Sequence, residues 1–166
     1  MSNEKKQEFT LRISNANKTS LCVILYDMFD VYIDEAMEAA EIKDNRGKVS
    51  CDYRSAYHTD IRRARNVLSE LIDSVNRGYG IGENLYQIYR FVERELIKAD
   101  IRETGEGLDE VKDIMIKLRD SYDEICKQDE SGSVMSGAST VYAGMTYGRN
   151  DISESANIEY NRGFLA

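Results

Sequence analysis

The chain has 166 residues, the size of one domain, and 42% of them are hydrophobic and 9% aromatic, enough to build a core. Lys and Arg number 22 against 30 Asp and Glu, for a formal net charge of −8. That acidic balance, with no strong basic tract, excludes a broad nucleic-acid-binding surface and removes the usual attraction to anionic lipid. No run approaches the ~18 apolar residues of a spanning helix, which argues against membrane insertion. Residues 1–6 lack the apolar stretch of a signal peptide. Cys22, Cys51 and Cys126 are widely spaced, with no Cys-x-x-Cys pair. Cys22 and Cys126 fall beside core positions of predicted helices and read as small buried hydrophobes in a reducing cytoplasm.

In chain order, residues 1–16 form an N-terminal segment. Phe9, Leu11 and Ile13 make it apolar enough to lie in a groove, but it is too short to be a core element. A first helix is predicted over about 18–43, opened by Asn17 as N-cap with Thr19 as the other candidate. A second, over about 52–76, places Tyr57, Ile61, Ala64, Leu68, Leu71 or Ile72, and Val75 on one face. The third, about 82–101, repeats Leu85, Ile88 or Tyr89, Val92, Leu96 and Ala99 at three-four spacing. The fourth, about 107–127, does the same with Leu108, Val111, Met115, Leu118, Tyr122 and Ile125. Proline is absent, and within 17–127 glycine occurs only at 47, 78, 80, 82, 105 and 107, between these runs. The pattern is all-α, an antiparallel four-helix bundle over 17–127. Gln128–Thr140 is Ser/Gly-rich and reads as a flexible linker. A C-terminal tail, 141–166, regains Tyr142, Met145, Tyr147, Ile158, Tyr160, Phe164 and Leu165 without a period. It reads as disordered, or as a segment that docks on its own bundle or on a partner.

Chemistry-bearing motifs are sparse. His58 is the single histidine, with neither a second histidine four residues on nor a Glu-x-x-His pair, so no metal site or cofactor is expected. A histidine phosphotransfer bundle using His58, with Arg62 one turn on to meet the phosphate, is one alternative. Ile61 and Arg62 stand where such domains resemble Lys-Gly, and a surface histidine is the plainer reading. Arg62, Arg63 and Arg65 have Asp60 and Glu70 as neighbours and read as a solvated helix face. The glycines at 78, 80 and 82 lack the strand and Gly-Lys-Ser/Thr of a phosphate loop and mark a turn. No Ser/His/Asp or Cys/His set emerges, and the chain does not read as an enzyme.

What stands out instead is apolar surplus. The third helix carries Tyr86 and Phe91 at the edges of its core stripe, and the first carries Ile24, Met28, Phe29 and Tyr32 in excess. Such a strip marks a docking surface unless the N-terminal segment or the tail covers it. A cover that can be displaced would act as a gate.

The order of residue types then carries a resemblance. Asn84-Leu85-Tyr86-Gln87-Ile88-Tyr89-Arg90-Phe91 is similar to an N-L-x-x-L-Y-x-Y block, and Leu96 to Asp100 to an L-x-x-A-N ending. Leu118-Arg119 followed by Tyr122 is similar to L-R-x-x-W, and Leu25-Tyr26-Asp27 to L-Y-D-G. Ala64, Val67, Leu68 and Leu71 fit a second helix. Together these resemble the flagellar secretion chaperones of the FliS family over about residues 9–127. Met28-Phe29 departs from Gly-Ala, Lys18 from Pro, Asp100 from Asn and Tyr122 from Trp. The resemblance implies a cytoplasmic export chaperone that binds the disordered C-terminal segment of flagellin, prevents its premature polymerisation and meets the export apparatus. It implies client contact at Tyr26, Leu85, Ile88 and Tyr89; Tyr86 and Phe91 join them from the surplus-face argument. A generic helical protein-interaction module is the remaining alternative.

Overall fold

Short polar caps and glycine turns divide the described residues into five helices: α1 (Asn3–Asn15), α2 (Lys18–Arg46), α3 (Cys51–Ser74), α4 (Gly80–Arg102) and α5 (Leu108–Cys126). The computed structural model describes residues 1–46 and 51–135, with the side chains of 43–46 and 51–52 outside that description. No strand occurs among the described residues. The expected tail, 141–166, and the end of the expected linker lie outside them.

Each boundary has a local cause. Ser2 opens α1, its hydroxyl accepting from the Lys5 N–H. Asn17 opens α2 as expected, its Oδ1 accepting from the Ser20 N–H at 2.7 Å. At the α3–α4 corner the start of α4 passes so close to the preceding turn that a Cβ on Gly82 would lie 2.0 Å from the Asn76 carbonyl oxygen. Gly82 thus sits inside the first turn of α4, where its missing side chain permits the approach. Between α4 and α5, Glu103 (φ 53°) and Gly107 (φ 83°) take left-handed conformations that turn the chain back.

Four helices share one core. It is built from Tyr26, Phe29, Ile33 and Ala36 of α2; Tyr57, Ile61, Ala64, Leu68 and Leu71 of α3; Tyr89, Val92, Leu96 and Ala99 of α4; and Leu108, Val111 and Met115 of α5. For α3, α4 and α5 these are the three-four stripes read from the sequence, turned inward except at Ile125, which is 55% exposed. Phe29 of α2, read as surplus, is core. Helix α2 packs on α3 and α5, and α4 packs on the same two.

Two stretches differ from expectation. The N-terminal segment is a 13-residue helix that joins a smaller core of its own, where Phe9 and Ala16 meet Ile24 of α2, flanked by Ile13, Leu21, Met28 and Val31. A length too short to fold alone suffices once the surplus apolar face of α2 is there to receive it. The beginning of the expected flexible linker is also tied down. The Val134 N–H donates to the Ala16 carbonyl at 2.9 Å, and the Ser133 hydroxyl donates to the Ser14 carbonyl at 3.2 Å. Asn17 Nδ2 donates to the Asp129 and Ser131 carbonyls, and the Thr19 hydroxyl donates to the Asp129 carboxylate. The Ser and Asp residues that look like linker composition are equally good at bonding nearby backbone.

Candidate functional site

The six residues singled out from the sequence occupy three environments. Tyr26 and Tyr89 are core residues, each 1% exposed, and their hydroxyls hydrogen-bond to each other. The Tyr122 ring lies 5.5 Å from that of Tyr26, tilted by 48°, and completes an aromatic group from α2, α4 and α5. Burial pushes the Tyr26 and Tyr89 phenols far above their usual range. Neither ring lies on the surface. Leu85 and Phe91 are half-buried against the main core, and Ile88 is half-buried. Tyr86 is half-buried beneath the Arg77 guanidinium, 4.0 Å from its ring centre, while Arg77 Nε donates to Glu83 at 2.9 Å.

At about 100° per residue, Tyr86 and Phe91 flank the Leu85–Tyr89–Val92–Leu96 stripe on opposite sides. They therefore border two different edges of α4, and no single straight helix could lie along both.

Helix α2 resolves its own surplus differently. Phe29 is wholly buried in the main core, and Tyr32 is half-buried with the Arg63 guanidinium 5.8 Å from its ring centre. Ile24, 3% exposed, lies under α1, and Met28 touches both cores. The apolar shelf formed by Leu21, Ile24, Met28 and Val31 is covered by Phe9 and Ile13 of α1. At its edge Asp27 accepts from Arg12 of α1 and from Arg119 Nε of α5 at 3.0 Å, so one carboxylate ties the cover to the body. Asp30 and Asp34 continue the acidic row along α2 and pair with Lys112. This is the N-terminal cover expected over the α2 surplus, formed as a helix whose Phe9 and Ile13 lie at i, i+4.

His58 lies between two carboxylates. Nδ1 is 2.7 Å from Asp100 and Nε2 is 3.3 Å from Glu103, which also pairs with Arg54. A phosphoryl group on either nitrogen would meet a carboxylate, which argues against the phosphotransfer alternative. The same histidine joins α3 to the C-terminal end of α4, where the Tyr57 hydroxyl is 2.9 Å from the Ala99 carbonyl. Arg63 pairs with Asp60 at 2.9 Å, but Asp60 is only 8% exposed, so this pair lies at the edge of the core and not on the solvated face expected from the sequence. Among the described residues no helix is long and apolar enough to cross a membrane.

The chemistry of this surface is that of apolar side chains covered by a neighbouring helix. A family model described as flagellar protein FliS matches residues 1–129. No curated protein matches the chain.

Proposed function

From the premise that this chain belongs to the flagellar protein FliS family, we propose that it holds the C-terminal segment of flagellin in the cytoplasm until export. Members of that family are flagellar export chaperones for flagellin. The observation that carries the reading to particular residues is the apolar shelf of α2 under α1, together with the two flanks of α4 marked by Tyr86 and Phe91. An unfolded segment destined to pack as helices in a polymer exposes apolar faces that would otherwise self-associate. Helix-in-groove docking buries those faces on the chaperone instead. Because the flanks lie on opposite edges, the client wraps the body as more than one short helix.

The antiparallel ordering of α2–α5 belongs to this reading. It is supported by the short connections at 75–79 and 103–107, which favour neighbours running in opposite directions. Handover to the export apparatus, and docking of the tail over the client surface, complete it.

Calorimetric titration of the full chain with the last forty or so residues of flagellin tests the proposal. One-to-one binding with a large negative heat-capacity change is expected. Tyr86→Asp and Phe91→Asp should each weaken binding at least tenfold while moving the melting temperature by only a few degrees. Equal loss of stability and binding would make both residues core, and absence of binding by the native chain would remove the client. If the tail shares the surface, Tyr142→Ser with Tyr147→Ser should tighten binding in the same titration; unchanged affinity ends that part.

A further inference from the structure

We propose that residues 129–134 form a strap that holds α1 on its shelf, so that the segment after α5 sets how readily the shelf is uncovered. The last carbonyls of a helix have no partner within the helix. Helix α1 ends in an extended Ala16, followed by Asn17, before α2 begins. The strap supplies donors at this joint: the Val134 N–H to the Ala16 carbonyl at 2.9 Å and the Ser133 hydroxyl to the Ser14 carbonyl at 3.2 Å. On the other side of the joint the Thr19 hydroxyl of α2 holds the Asp129 carboxylate. The strap therefore grips both helices and acts as a C-cap provided by a distant part of the chain.

Its leverage comes from the weakness of α1. Thirteen residues are at the lower limit for a helix in water, and Phe9 is the helix's one buried side chain. Closing the joint between α1 and α2 restricts the movement that lifts α1 away, and releasing it lowers the cost of opening. The regulatory sense rests on the client reading above, whereas the strap's hold on α1 stands without it.

Hydrogen exchange on the full-length chain separates the two. Val134→Pro removes the N–H donor at a side chain that is 54% exposed, so little packing changes. Amides of α1 should then exchange about fivefold faster, the effect of one average hydrogen bond, while those of α3 and α4 stay as they were. Val134→Ala keeps the donor and should behave as the native chain. Unchanged α1 exchange in Val134→Pro, or equal acceleration by Val134→Ala, overturns the strap. Titration of the same Val134→Pro chain with the flagellin segment reads the other premise. Faster α1 exchange with tighter binding supports both; faster exchange with unaltered binding keeps the strap and removes the shelf from the client surface.

Discussion

The hydroxyls of Tyr26 and Tyr89 meet in a region where each residue is 1% exposed, so each is the other's answer to desolvation. Tyr26→Phe leaves the Tyr89 hydroxyl buried without that partner, and Tyr89→Phe does the reverse. Each single change should cost about 1–3 kcal/mol in denaturant unfolding. The double replacement, Tyr26→Phe with Tyr89→Phe, should cost less than the sum of the two, because no orphaned hydroxyl remains. Additive losses would mean that the pair does not act as a unit. The family motif placed both tyrosines at the client, while three-four spacing on α4 set Ile88 or Tyr89 in the core stripe and left Tyr26 without a place in one. The structure seats them in the core, and the same inward packing absorbs two departures from the family pattern. Tyr122 fills the aromatic place beside Tyr26, and Phe29 is fully buried.

At the scale of elements, the two glycines at the start of α4 look alike in the sequence and differ in structure. A Cβ on Gly80 would have nothing within 4 Å, whereas one on Gly82 would strike the Asn76 carbonyl. Gly80→Ala should therefore stabilise the protein by about 0.5 kcal/mol, through reduced freedom of the unfolded chain. Gly82→Ala should destabilise it by about 1–3 kcal/mol, because backbone must shift. Thermal unfolding of the two variants checks the opposite signs. The sequence showed that glycines punctuate the α3–α4 corner but not which one carries the close approach, since that depends on a chain-to-chain distance. Helix α1 is a parallel case. Its apolar pair Phe9 and Ile13 was visible, yet its helical state depends on the shelf of the next helix and on the strap, which is remote in sequence.

Over the whole molecule, the main core holds three buried phenols. Tyr26, Tyr57 and Tyr89 all have their pKa raised, with burial the first cause, and for Tyr57 to about 12. A phenol whose pKa is raised by folding contributes stability that is fully present below its unfolded value of about 10. That contribution is lost as pH rises through the folded value. Stability should therefore hold to about pH 10 and fall steeply towards pH 12, with phenolate absorbance from the buried tyrosines appearing together with loss of helical circular dichroism. Gradual phenolate growth ahead of unfolding would mean that these rings are accessible. The seam between α2 and α5 behaves differently, since Asp30 and Asp34 with Lys112 lie near the surface and salt screens them.

Periodicity and punctuation in the sequence alone determined the all-α class and most of the inward faces of α3–α5, because a helix face is a local property of residue spacing. The family was also legible there, since its motifs are orders of residue types along single helices, and the match over residues 1–129 agrees with it. Only the tertiary structure decided which surplus apolar residues are covered and by what. Ile24 lies beneath α1, Tyr26 and Tyr89 close on each other, Tyr86 and Phe91 border separate edges, and residues 129–134 return to the α1–α2 joint. Each of these depends on distances between segments that no spacing within a segment encodes.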